Sequence, residues 1–260
     1  LLEAKAEGGD LRVLYSPIEA VSIAKENPDK EVVFFAVGFE TTAPANALSV
    51  LHSEKEGISN SDLLASQVVV PPAMEAILDD DFCSIQAFLA AGHVCAIMGI
   101  QSYQPLVDKY KIPIVVTGFE PLDLVQGIYM AVAQLEKGKT VLENQYARVV
   151  KPNGNLAAIK IINTIFEVGA REWRGIGEIP ESGYVIKEAY RKYDAEHKFQ
   201  IQNIKVPENP DCIAGEILRG IKKPNECGQF GHNCKPSNPL GAPMVSSEGA
   251  CAAYYHFKTD

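Results

Sequence analysis

The chain has 260 residues, with 24 Lys and Arg against 33 Asp and Glu, a formal net charge of −9. Hydrophobic residues make up 47% of it and charged residues 22%, the balance of a globular protein that can bury a core unaided. The acidic excess argues against a protein that lives on nucleic acid or anionic membrane, and no apolar stretch approaches the roughly 20 residues of a membrane span.

The start, LLEAKAEGG, has neither the basic n-region nor the apolar h-region of a signal peptide, and it lacks an initiator Met, so a fragment or a processed product is expected. LRVLYS (11–16) reads as a strand. IEAVSIAKENP (18–28) reads as a helix, because Ile18, Val21 and Ala24 recur at three-residue steps behind Pro17. EVVFFAVGFE (31–40) is an unbroken apolar run of the kind found in a strand buried on both faces. Thr42 is placed to cap a helix over 44–57, and LLASQVVV (63–70) reads as a strand ended by Pro71 and Pro72.

The middle repeats this alternation. IQAFLAAG (85–92) reads as helix, VCAIMGI (94–100) as strand, YQPLVDKY (103–110) as helix and KIPIVVTGFE (111–120) as a buried strand. LDLVQGIYMAVAQLEKGK (122–139) is a long amphipathic helix with basic residues in its last turn. NLAAIKIINTIFEVG (155–169) is another, with Gly169 as C-cap. The pattern predicts an α/β fold of two related lobes with mainly parallel sheets, over 1–75 and 76–205, followed by a distinct module over 206–260. Gly-Phe-Glu triplets begin at Gly38 and Gly118, each after an apolar strand and before a helix. Each places a glutamate, Glu40 or Glu120, at the carboxyl edge where open α/β sheets bind ligands. These could form an acid/base pair, or could be solvated or capping residues. His93 could be a base, a ligand or a hydrogen-bonded structural residue.

After about Lys205 the composition changes: Pro207 to Pro243 contains six Pro and five Gly in 37 positions. Such a segment cannot form long helices or strands and needs something besides an apolar core to order it. Four of the six cysteines, Cys212, Cys227, Cys234 and Cys251, fall in or just after it. Four thiolates among Gly and Pro turns fit a tetrahedral zinc site or a [4Fe-4S] cluster. The lack of C-x2-C knuckles shifts the reading toward iron–sulfur, with disulfides a third option. His232 and His256 lie near enough in sequence to replace a thiolate, although a solvated position is the plainer reading. Cys83 and Cys95 read as small core residues. No Walker A loop, G-x-G-x-x-G, G-x-S-x-G or H-E-x-x-H occurs.

Six strings, GFETTAPANA (38–47), GHVCAIMG (92–99), TGFEPLDL (117–124), EWRGIGEIPESG (172–183), CIAGEILRGIKKPNEC (212–227) and MVSSEGACAAYY (244–255), together resemble the HypD family. Its members are accessory factors that help build the iron–dicyanide–carbonyl moiety of [NiFe]-hydrogenases. The resemblance implies a cytoplasmic protein of two α/β lobes and a C-terminal [4Fe-4S] module on Cys212, Cys227, Cys234 and Cys251. It implies work with the small chaperone HypC and receipt of cyanide by way of HypE, with no nucleic-acid or membrane partner. It implies that Glu40, Thr41, Thr42 and His93 line a cleft between the lobes, with Glu248 near the last cysteine. The chain departs from the family pattern by lacking its Cys-Gly-x-His and Gly-Pro-Gly-Cys-Pro-x-Cys motifs, whose cysteines are thought to hold the iron. An Fe(CN)2CO precursor is therefore expected only on an intact protein that carries them. Ala214 stands where many relatives have Cys, and Ala91 replaces a common Pro. A non-catalytic, metal-stabilised interaction module with a purely structural cluster is the rival reading.

Overall fold

A computed structural model of the chain describes residues 2–204 and 206–257. Leu1 and Lys205, where the start was read and where the composition changes, lie outside the described residues. A short helix α1 (Leu2–Ala6) is followed by α2 (Pro17–Glu26), β1 (Val32–Gly38), α3 (Ala43–Glu56) and β2 (Ser61–Gln67). The β-branched and aromatic run of β1 pairs in parallel with β2, from Val32 opposite Ser61 to Gly38 opposite Gln67, and α3 is the crossover that parallel pairing requires. Helix α4 (Val70–Leu78) carries the chain to a second parallel sheet. There β3 (Phe88–Ala91), α5 (Gly92–Met98), α6 (Gln104–Tyr110), β4 (Ile114–Thr117), α7 (Pro121–Glu136) and β5 (Leu142–Asn144) give the strand order β3-β4-β5. All four residues of the central β4 are buried.

Helix α8 (Leu156–Ile165) then leads into an antiparallel hairpin, β6 (Phe166–Trp173) and β7 (Gly177–Ile186). The fold is α/β with mainly parallel sheets, as the alternation predicts. One apolar core joins Ala36, Ala47 and Leu63 of the first sheet region to Ile162, Ile165, Phe166 and Tyr184, so α8 and the hairpin pack back onto it. A second gathers Ala90, Cys95, Val107, Ile114 and Val116 around the second sheet. After α9 (Ala195–Lys198), the C-terminal segment holds only the short helices α10 (Ala214–Leu218), α11 (Ala242–Val245) and α12 (Ala250–Phe257), around a small core of Ile217, Cys234, Met244, Cys251 and Ala252.

Several local expectations are overturned. Residues 11–16 are not a strand: Val13 is 83% and Tyr15 97% exposed, so an apolar alternation without a sheet partner stays irregular. The assignments around position 92 are exchanged. Phe88–Ala91 is a strand because its backbone pairs with β4, and Gly92–Met98 is a helix that buries Val94 and Cys95; runs this short carry no decisive period. Gly169 caps no helix, because α8 ends at Ile165 and the chain continues extended, with Phe166 opposite Ile186. Thr42 occupies the N-cap position of α3, but its hydroxyl donates to the Phe39 carbonyl (3.0 Å) rather than capping the helix. Lys137 and Lys139 lie beyond the end of α7.

Two glycines fix how α5 meets α8. Gly99 (φ 80°) and Gly154 (φ 63°) sit back to back, and a methyl on Gly154 would collide with the backbone of Ile97 and Gly99. The close approach is held by Asn155 N–H donating to the Ile97 carbonyl (2.8 Å) and Ile100 N–H to the Pro152 carbonyl (3.0 Å). Gly154→Ala should cost about 2–3 kcal/mol, since both the left-handed backbone and the backbone collision oppose it. Gly138 also has positive φ (60°) but open space around it, and Gly138→Ala should cost only about 1 kcal/mol. Urea denaturation of the two variants checks this; equal losses would show that the close approach contributes nothing.

Candidate metal centre and cleft residues

The four C-terminal cysteines come from different local structures. Cys212 closes a turn on the Asn209 carbonyl, Cys227 follows a 3-10 turn at Pro224–Glu226, Cys234 closes a tight loop against Phe230, and Cys251 lies in the first turn of α12. All four line one pocket of about 340 Å³ of empty space, counted out to solvent, whose walls include Ile217 and Met244. Cys234 and Cys251 are buried, Cys212 and Cys227 half-buried, and all are free thiols. Burial pushes the Cys212 thiol up, with the neighbouring Cys234 and Cys227 adding to it; burial, then Cys234, Cys212 and Cys227, push Cys251 up to about 11. Leu240 N–H donates to Cys234 Sγ (3.5 Å). Gly241 leaves space for Cys212 Sγ that a side chain would fill.

The four thiols are the soft donors that a metal centre would use. Zinc at about 2.3 Å from each sulfur holds four thiolates roughly 3.8 Å apart. Among the described residues no three His, Cys, Asp or Glu side chains are gathered closely enough to hold a single ion. Four free thiols line one apolar-walled pocket, and this type of donor set is the kind that binds zinc or an iron–sulfur cluster. His232 and His256 are exposed and do not line the pocket. Glu248 is exposed in the turn before α12, its N–H donating to Ser246 Oγ (3.2 Å).

The two Gly-Phe-Glu turns end in different environments. Glu40, between β1 and α3, is 1% exposed; its Oε1 accepts from Val70 N–H (2.9 Å), while Oε2 is buried with no hydrogen-bond partner among the described residues. Burial pushes its carboxyl above the ordinary carboxylate range, against the lowering pull of the Val70 hydrogen bond. Gln67, at the end of β2, is also fully buried with both polar side-chain atoms unpaired among the described residues. The negative charge of Glu40 reaches Cys95, Tyr103 and Tyr184, so these groups surround one buried polar region. Burial pushes the Cys95 thiol up to about 11 and fits its reading as a core residue. Thr41 is exposed and Thr42 half-buried.

Glu120 instead has a 77% exposed side chain, 3.5 Å from Arg148. His93, at the start of α5, is exposed and set edge-on to Phe119 (4.6 Å) and Tyr146 (6.0 Å). His93 therefore meets the second Gly-Phe-Glu turn, whereas Glu40 is buried and bonded to Val70 N–H. Sequence reasoning missed Asp123, Gln145, Tyr146 and Arg148. Asp123 is buried and bridged by both Arg148 guanidinium nitrogens (2.7 and 2.6 Å) and by Gln145 Nε2 (2.9 Å), and Arg148 lies over the Tyr146 ring (4.5 Å). The Arg148 guanidinium holds the Asp123 carboxyl below its usual range. An acid in the first turn of the helix after Gly-Phe-Glu was the available signal; its partner 25 residues on was not.

The chain matches, over residues 1–258, the family described as "HypD: Hydrogenase formation hypA family". It is 44% identical over 262 residues to the hydrogenase maturation factor HypD of Rhodobacter capsulatus, covering 99% of this chain and 70% of that protein. It is 44% identical over 263 residues to HypD of Azotobacter vinelandii and 42% over 259 residues to HypD of Escherichia coli (strain K12), covering 99% of this chain and 69% of each relative. No helix among the described residues is long and apolar enough to cross a membrane. A match over nearly the whole chain, with identities above 40% to proteins that it covers by more than two thirds, makes this chain a member of the HypD family.

Proposed function

We propose that the chain acts in the maturation of [NiFe]-hydrogenase, as a scaffold and redox partner in building the Fe(CN)2CO moiety. Cys212, Cys227, Cys234 and Cys251 hold a [4Fe-4S] cluster in this reading. The observation that carries it is the convergence of four thiols, from separate turns, on a single pocket. The names of the relatives support the maturation role. A HypC-type chaperone and a HypE-type cyanide donor are the partners that the family resemblance adds, and the iron carrying diatomic ligands is the cargo.

A bound [4Fe-4S] cluster supplies one-electron transfer. The residues of the chain do the rest. Ile217 and Met244 keep water from the thiols, Leu240 N–H orients Cys234, and Gly241 makes room for Cys212. Glu40, buried and biased toward its neutral form, can offer an O–H donor at the carboxyl end of β1. His93 is exposed beside Phe119, and Thr41 and Thr42 present hydroxyls on the same turn as Glu40. A purely structural cluster is favoured by one observation: the C-terminal segment has only short helices and a small apolar core, so metal would order it.

The chain purified without oxygen should contain iron and acid-labile sulfide in equal amounts, near four of each per chain. Cys234→Ser should lose most of both. Zinc without sulfide would overturn the cluster, and a cluster that cannot be reversibly reduced at cytoplasmic potentials would favour the structural reading over the redox one.

The buried carboxyl gives a second expectation. A folded-state pKa raised above the unfolded value means that the native state holds its proton more tightly, so stability is lost as pH rises from the ordinary 4.5 through the folded value. Glu40→Gln keeps the acceptor for Val70 and removes the titration. Its stability advantage over the wild type should grow as pH rises from the ordinary carboxylate range toward neutrality. Denaturant melts across that range measure it, and an advantage independent of pH would contradict the assignment.

A further inference from the structure

The hairpin of β6 and β7 ends in a turn that rests on the segment carrying the four cysteines. Gly175, at the tip, has positive φ (86°), and its N–H donates to Glu208 Oε1 (2.7 Å), four residues before Cys212. A methyl group on Gly175 would lie 2.9 Å from Gly215 N and 3.0 Å from Ala214 Cβ, and one on Gly215 would strike the Gly175 carbonyl oxygen. Two glycines thus let the turn and the first residues of α10 meet backbone to backbone. The turn is also braced from behind. Trp173 Nε1 donates to Ser182 Oγ (2.8 Å), and the hydroxyl of Ser182, a fully buried residue, donates to the Ile179 carbonyl (2.8 Å). Val69 N–H donates to the Ser182 carbonyl (2.8 Å), which ties the hairpin to the chain just past β2.

The backbone that this turn presses on serves one thiol of the metal centre. Ala214 and Gly215 are the second and third residues after Cys212. Against the burial that pushes the Cys212 thiol up, a backbone hydrogen bond from Ala214 pulls it down, and the negative charge of Glu208 adds to the rise. Gly241 leaves the same sulfur its space. Cys212 Sγ therefore has a backbone donor whose neighbour is wedged by Gly175, and a carboxylate that Gly175 N–H holds in place. The two act in opposite directions on a metal centre. An N–H aimed at a ligating sulfur stabilises the electron-rich, reduced state, whereas a nearby negative charge destabilises it.

We propose that the β6–β7 turn and Glu208 are positioning elements of the metal centre, which set its electron affinity through Cys212: Gly175 holds the Ala214 backbone against the sulfur, and Glu208 keeps a negative charge beside it. The proposal rests on the cluster reading given above. The test is a potentiometric titration of the whole chain, purified without oxygen, in which dithionite gives one electron to each cluster and electron paramagnetic resonance follows the reduced form. Glu208→Gln keeps an oxygen for Gly175 N–H and removes the charge, so the electron affinity should rise by about twofold or more. Gly175→Ala pushes the turn off Ala214 and should lower it by about three- to tenfold, or release iron and sulfide outright. Gly177→Ala is the control: it strains the same turn (φ 105°), but its methyl has no atom within 4 Å among the described residues, and it should leave the titration unchanged. A wild type that carries a cluster, with Glu208→Gln titrating like it or Gly175→Ala titrating like Gly177→Ala, would overturn this proposal alone. Zinc without sulfide in the wild type would overturn both the proposal and the reading beneath it.

Discussion

Parallel strand pairing is the constraint on which the rest of the molecule depends. Strands that run the same way need a crossover, so α3 carries the chain from β1 to β2, and α7 carries it from β4 to β5. Every strand of both parallel sheets then ends on the same kind of edge, and the chemically distinctive residues collect there. Glu40 follows β1, Gln67 ends β2, His93 follows β3, Glu120 follows β4, and Gln145 and Tyr146 follow β5. The local sequence decides how each carboxyl edge is finished. At β1 the glutamate turns inward and is capped by Val70 N–H; at β4 it turns outward to Arg148, because Asp123 has already taken the buried place.

The C-terminal segment obeys a different rule. Among its described residues only short helical turns are regular and no sheet forms, and its Gly and Pro content forbids long regular elements. Its apolar core is small, and two of the five buried residues in it are cysteines. Thiols thus occupy positions that aliphatic side chains would fill in an ordinary core. In the proposed reading, a group that binds all four sulfurs would order the segment as it is ligated. Electron transfer and structural support are then compatible uses of one site.

Much of the fold was legible because the decisive strands were extreme. Residues 32–38 and 114–117 are rich in β-branched and apolar side chains that favour strands, and α7 carries a helical period over four turns. The failures share a cause. Phe88–Ala91 and Gly92–Met98 are each too short to show a period, and their identities follow from which segment lies beside β4, a fact set by tertiary pairing. Gly169 resembles a helix terminator, yet the extended chain from Phe166 is imposed by β7 across the hairpin. The four C-terminal cysteines were legible as a group from clustering alone, whereas the burial of Glu40 was not. Gln67, Cys95 and Tyr103 have no common sequence signal, and their burial is set by tertiary packing.

The central claim is that Cys212, Cys227, Cys234 and Cys251 act together on one iron–sulfur cluster. Anomalous diffraction from crystals of the anaerobically purified chain, recorded on either side of the iron absorption edge, tests it most directly. The account requires one compact multi-iron peak in the pocket walled by Ile217 and Met244, with each of the four sulfurs bonded to a different iron. A peak that persists only at the zinc edge, or disulfide bonds joining these cysteines with no anomalous peak between them, would contradict it.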